Sequence, residues 1–126
     1  MASSGDEAQL AKPQRATDPR SLFEEFLPRY LGEQGGEGLP EDVVVVFHIH
    51  GDGGGSWRVR RNGLGLHVGP LTPGHESCVV RCGSAVLMDI VHGKVGSREA
   101  FLRGDLRVVG DVGLVLRLES ALRAAA

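Results

Sequence analysis

The sequence predicts an α+β fold, on three observations. A β-branched run, Val43 to His50, is followed by strand-like segments separated by Gly-rich and Asn-Gly turn signals. Segments with apolar residues at helical spacing stand before, between and after those strands. The nineteen glycines cluster at the expected turns instead of repeating, which suits short strands with tight connections. At 126 residues the chain is one domain's worth, with 41 % hydrophobic residues to build a core.

Residues 1–17 are polar, mixed in charge and aperiodic, and read as a flexible tail; 18–126 read as the domain. Asp18 and Pro19 start a helix as N-cap and first helical residue. Leu22, Phe23, Phe26 and Leu27 form its apolar side, and Pro28 is expected to end or kink it. Tyr30 and Leu31 pack as a short continuation, and 32–40 is a loop. In the strand Val43–His50, alternation sends Val43, Val45, Phe47 and Ile49 to the core and Val44, Val46, His48 and His50 to the other face.

Gly51–Gly55 turns the chain into a second strand, Ser56–Arg61, where Trp57 and Val59 alternate with Arg58 and Arg60. Asn62-Gly63 then leads to a third, Leu64–Val68, with Leu64, Leu66 and Val68 on the core side. These three strands form an antiparallel meander. After a loop at 70–75, Ser77–Cys82 is a fourth strand. Ser84 caps a helix to about His92, with Val86, Leu87, Ile90 and Val91 as its stripe and Gly93 closing it. A short helix runs from Ser97 to Phe101-Leu102, a strand from Leu106 to Val109, and a last helix from about Val112. The last helix places Leu114, Val115, Leu118, Ala121 and Leu122 on one side, with Val112 and Leu116 opposite. A helix apolar on two faces has more than one thing to cover.

The formal net charge of −2 offers no global positive field for nucleic acid, so no nucleic-acid partner is expected. No apolar run reaches membrane-spanning length. The N-terminal MASSGDEAQLAKPQ lacks the apolar stretch of a signal peptide, and the C-terminal alanines are not a Ser-Lys-Leu peroxisomal address, so a cytoplasmic location is expected. Cys78 and Cys82, four apart in a strand, have Cα atoms roughly 13 Å apart, beyond disulfide reach, and read as reduced buried thiols.

Few residues suggest catalysis. Gly51–Gly55 enters a strand, not a helix, and no Gly-Lys-Ser/Thr follows, so it reads as a hairpin turn. Asp52 alone cannot make a calcium loop. His48 and His50 share a strand face about 7 Å apart with His67 within reach, but solvated histidines are the plainer reading and no metal is expected. No Gly-x-Ser-x-Gly elbow supports a nucleophile. Arg103-Gly104-Asp105 spells an adhesion tripeptide by coincidence. The expectation is no enzyme and no cofactor.

The stretch Gly93–Leu118 carries Gly93-Lys94, Ala100-Phe101-Leu102, Gly104, Leu106-Arg107-Val108-Val109 and Gly110-Asp111. It resembles the C-terminal motif of the sterol carrier protein type 2 family, and the order of elements matches that family over roughly residues 19–123. The resemblance implies a five-stranded, largely antiparallel sheet with helices covering one face and an apolar tunnel between them. It implies non-enzymatic intracellular binding or transfer of a lipid: an acyl chain, acyl-CoA, sterol or phospholipid. The family's tunnel carries over onto Phe101, Leu102, Leu114 and Leu118; Phe26, Trp57, Leu87, Ile90 and Val91 join them on amphipathic spacing alone. Leu116, Arg117 and Arg123 of the last helix are expected to touch a membrane transiently during exchange. The alternative is an accessory module of the same fold that presents hydrophobic substrate to a partner enzyme or docks on it.

Overall fold

A computed structural model describes residues 16–31, 39–63, 65–71, 74 and 76–125. The readings made for most of the tail, for Leu64, for the packing of Tyr30 and Leu31, and for parts of the loops at 32–40 and 70–75 lie outside the described residues or side chains.

Five strands form one sheet: β1 (Val44–His50), β2 (Gly55–Asn62), β3 (Gly65–Gly69), β4 (Cys78–Gly83) and β5 (Leu106–Gly110), in the order β3-β2-β1-β4-β5. β1 pairs antiparallel with β2, β2 with β3, and β4 with β5; only β1 and β4 run parallel. The alternation in β1 works as its side chains require. Val45, Phe47 and Ile49 join the core, and so do Trp57, Val59, Leu66, Val80 and Leu106 from the other strands.

On the opposite face of the sheet, Val44 and Val46 are only 3 % and 2 % exposed. Their cross-strand partners are Arg60 and Arg58 on β2, with Val79 beside Val46 on β4. Long arginine stems shield apolar surface while their charged ends stay in water.

The first helix, α1, is α-helical over Pro19–Ser21, π-helical over Leu22–Phe26 and α-helical again over Leu27–Leu31. Asp18 and Ser21 close a capping box at its start, with Ser21 N donating to Asp18 Oδ1 at 2.8 Å. Pro28 neither ends nor breaks it. The wide turn just before, where Leu27 N donates to Leu22 O, re-spaces the carbonyls ahead of a residue that has no amide to donate. Ala16 is 1 % exposed, and its carbonyl accepts from His92 Nε2 at 2.9 Å.

α2 (Ser84–Val91), α3 (Ser97–Leu102) and α4 (Val112–Ala125) complete the helical layer. Gly83, not Ser84, occupies the N-cap of α2, and no side chain caps it. At Gly110 the backbone has φ +109°, and a Cβ there would lie 2.5 Å from Ser77 O, so only glycine fits. Asp111 then caps α4, accepting from Gly113 N at 2.9 Å.

Cys78 and Cys82 both point into the core and are free thiols. Burial, with the Asp111 charge adding to it for Cys78, pushes their pKa values up to about 11 and about 12. An unfolded thiol ionises near 9, so stability is complete below that pH and falls as pH rises from 9 toward 11–12. At pH 8, iodoacetamide is expected to modify both cysteines in denatured protein and neither in folded protein. Alkylation of both while the far-UV and near-UV circular dichroism stay native would contradict this burial.

Candidate functional site

The polypeptide after α2 makes a recess by packing two helices against the short edge strand β5. α3 is held to α4 through Glu119: Ser97 N donates to its Oε1 at 3.0 Å and Ser97 Oγ donates to the same oxygen. Arg123 pairs with the other oxygen at 3.0 Å, and its guanidinium also donates to Ile90 O and Val95 O. Glu119 thereby satisfies an open amide at the start of α3, and Arg123 anchors α4 to the end of α2.

Above this clamp α3 and α4 diverge. A groove of about 430 Å³ opens between them, lined by Phe101, Leu102, Val108, Val112 and Leu116, with Arg98 and Gly113 at its edges. Phe101, Leu102 and Leu116 are 37 %, 75 % and 42 % exposed, which places large apolar side chains in water along one rim. Beneath, between the sheet and the helices, lies a small apolar cavity of about 20 Å³ touched by Phe47, Val80, Leu87, Ile90, Leu118 and Leu122. Ser97, Leu106 and Val115 line both spaces and form the partition between them. In this conformation the inner cavity is small, and the groove outside the partition is the roomier of the two spaces.

The residues expected at a binding site separate into groups. Phe101 and Leu102 are at the groove. Leu87, Ile90 and Leu118 surround the inner cavity. Leu114 and Val91 are buried core residues that line neither space. Phe26 and Trp57 stand apart with α1: Trp57 stacks on Phe23 at 4.7 Å and donates from Nε1 to Glu24 Oε2 at 2.9 Å. Leu106 and Val108 of the motif strand and Val115 of the last helix form the floor of the groove, although none of them is among the residues expected at the binding site. Arg123, expected at a membrane surface, is committed to Glu119 and two backbone carbonyls.

His48 is half-buried with Nδ1 2.8 Å from Ser56 Oγ, His50 is exposed, and His67 lies across from Arg60 on the far side of β2. Among the described residues no group of three metal-ligating side chains comes together. No helix among them is long and apolar enough to cross a membrane.

Together these features define a small α+β domain with an apolar recess between a helix pair and a sheet edge. The model of the SCP-2 sterol transfer family matches residues 41–123, and the chain belongs to that family. It is 30 % identical over 120 residues to hydroxysteroid dehydrogenase-like protein 2 of Pongo abelii, an alignment that takes in 88 % of this chain and 27 % of that relative. The chain therefore spans about a quarter of the length of the curated relative it matches. Among solved structures, a UbiJ-SCP2 ubiquinone synthesis protein shares 20 % identity, with a TM-score of 0.63 over 84 % of this chain and 86 % of that one. Palmitated SCP2L2 from Aedes aegypti shares 19 % identity, with a TM-score of 0.57 over 84 % and 95 % of the two chains. These structural likenesses show the shared fold.

Proposed function

We propose that this protein binds the apolar chain of an intracellular lipid in the groove between α3, β5 and α4, and carries or presents it without chemical change. The observation that carries the reading is the groove itself. Its volume of about 430 Å³ lies within the roughly 300–1,000 Å³ typical of small-ligand sites, and its rim leaves Phe101, Leu102 and Leu116 in water until something covers them. Sixteen methylenes at about 0.8 kcal/mol each offer on the order of 13 kcal/mol before the costs of immobilisation, enough for micromolar or tighter binding.

Arg98 refines the ligand class. It is exposed at the edge of the groove and has no hydrogen bond or ion pair with a described residue. A cation at the mouth of an apolar slot favours an amphiphile with an acidic head, so a free fatty acid or acyl phosphate ester ranks ahead of a neutral sterol. The palmitated relative and the family's sterol-transfer description are compatible with either ligand.

Displacement of a fluorescent acyl probe from delipidated protein is the test. Saturable one-to-one binding is expected, with palmitate displacing the probe better than its methyl ester, and Arg98→Gln is expected to erase that preference. Absence of binding by protein shown to be folded and free of copurified lipid would sink the reading.

A second reading, presentation of a lipid to a partner enzyme, is favoured by one specific observation. The matching segment of the dehydrogenase-like relative is 27 % of a longer chain. Co-isolation of a stoichiometric enzyme whose turnover of a hydrophobic substrate rises with this protein would support it.

A further inference from the structure

A second recess lies against the sheet at the C-terminal ends of β1 and β4 and shares no lining residue with the groove. It has a volume of about 710 Å³ and is lined by His48, His50, Ser56, Arg81, Arg107 and Asp105, among others. The pairing register explains how these groups meet. Ser56 lies opposite His48, His48 beside Arg81, and Arg81 opposite Arg107, so one row crosses four adjacent strands. All four alternate with core residues and therefore face away from the helices. Neighbouring strands are about 4.8 Å apart, which sets the two arginines side by side.

Like charges directly opposite on paired strands repel. Several other arginines on the molecule have carboxylates to balance them: Arg60 has Asp42, Arg61 has Glu41, and Arg103 has Glu99 and Asp105. Arg81 and Arg107 make no ion pair or hydrogen bond with any described residue. Asp105, the carboxylate in the recess, is held by Arg103 Nη2 at 3.0 Å and Nε at 3.1 Å. The histidines are oriented toward the same space. His50 lies over Gly83, where a Cβ would approach its Cε1 to 3.0 Å, and Ser56 engages His48 Nδ1, leaving Nε2 for a ligand.

We propose that this recess is a phosphate-binding site, in which Arg81 and Arg107 share a phosphate ester or pyrophosphate group and His48 Nε2 donates to it. Two planar guanidinium forks offer paired N–H donors that match phosphate oxygens, and the dianion removes their mutual repulsion. The volume admits a ligand of nucleotide size. The site is separate from the apolar groove, with no lining residue in common, so it stands or falls independently of the lipid reading.

The test follows the side-chain ¹⁵N signals of His48, Arg81 and Arg107 by NMR at constant ionic strength, with inorganic pyrophosphate in one arm and sub-micellar dihexanoyl phosphatidic acid in another. Saturable one-to-one shifts at these residues are expected, and the R81Q/R107Q double variant is expected to weaken binding at least about tenfold for each guanidinium removed. The control R60Q, on the same face, leaves affinity within about twofold, and acyl-probe affinity is unchanged in all three proteins. Binding of pyrophosphate identifies a soluble phosphate source; binding of the phosphatidic acid alone identifies a lipid-borne one. Shifts that never saturate, that survive R81Q/R107Q, or that R60Q reduces equally would overturn the proposal in favour of a diffuse field. The double variant changes exposed side chains only, and its native circular dichroism serves as the check on folding.

Discussion

Val115→Trp is expected to lower acyl-probe affinity on the order of a hundredfold while the protein remains folded. Val115 is 8 % exposed and belongs to the partition, lining both the outer groove and the inner cavity. A ligand that enters from the groove and extends toward the core must displace this side chain. An indole at 115 fills the path. Excluding about four methylenes from burial, at about 0.8 kcal/mol each, is about 3 kcal/mol, or two decades in affinity. Overpacking costs about 1–3 kcal/mol of stability, which a domain of this size tolerates. Val108→Trp, at a half-buried position that lines the groove but not the cavity, is the milder companion. It blocks the outer space from a position only partly packed against the core, and a native circular dichroism spectrum separates lost binding from unfolding. Leu118→Trp tests the inner end, because Leu118 touches only the cavity. Unchanged affinity in both Val115→Trp and Val108→Trp would show that the lipid lies elsewhere. Loss with Val108→Trp and none with Leu118→Trp would confine it to the surface groove.

How far the sequence foretells this arrangement depends on how local each feature is. The strand Val43–His50 declares itself through β-branched alternation, and its first hairpin through the glycines that follow. The Gly110-Asp111 turn is legible too, because a positive φ and a backbone approach of 2.5 Å admit one residue type. The parallel pairing of β1 with β4 is not legible. It joins Val45 to Cys78 across the whole meander, and alternation names a face but never a partner. For the same reason Val44 and Val46 read as surface positions, although the register puts Arg60 and Arg58 beside them and buries both. The site divides along the same line. Phe101 and Leu102 stand out because they belong to a motif. Leu106 and Val108 stand in the same motif, yet they and Val115 look like any core residues, since an apolar side chain that walls a recess and one that fills a core differ only in what faces them. The row of Arg81 and Arg107 is likewise invisible until two strands 26 residues apart in sequence are laid side by side.

Phe23→Ala is expected to cost about 3–5 kcal/mol of stability and to shift the melting temperature down by more than about 10 °C. Phe23 is fully buried, with its ring centroid 4.7 Å from Trp57 and 4.8 Å from Phe47. It is the knob by which α1 engages the sheet. Leu22, Phe26 and Leu27 are buried in the same core, and at its edge stands a polar contact: Glu24 accepts from Trp57 Nε1 and pairs with Arg20 at 3.1 Å, both charged groups being about half exposed. Surface ion pairs contribute about 0–1 kcal/mol, so Glu24→Gln, which keeps an acceptor for the indole, is expected to cost less than about 1 kcal/mol. The chain holds a single tryptophan, and its emission reports directly on this junction. In Phe23→Ala the indole loses its stacking partner and its emission moves to the red; in Glu24→Gln it stays near native. A cost below about 1 kcal/mol for Phe23→Ala would mean that α1 is not part of the cooperative core. The binding readout separates the two halves of the molecule. Phe23 lines neither the groove nor the inner cavity, but it supports Phe47, which does touch the cavity. At a temperature where the variant is folded, acyl-probe affinity is therefore expected to remain within about threefold of the parent or to rise. Phe47 then has room to move away from a deeper ligand. A large loss of affinity in folded Phe23→Ala would instead place the aromatic cluster of α1 in the lipid site, and would move that site away from α3 and α4.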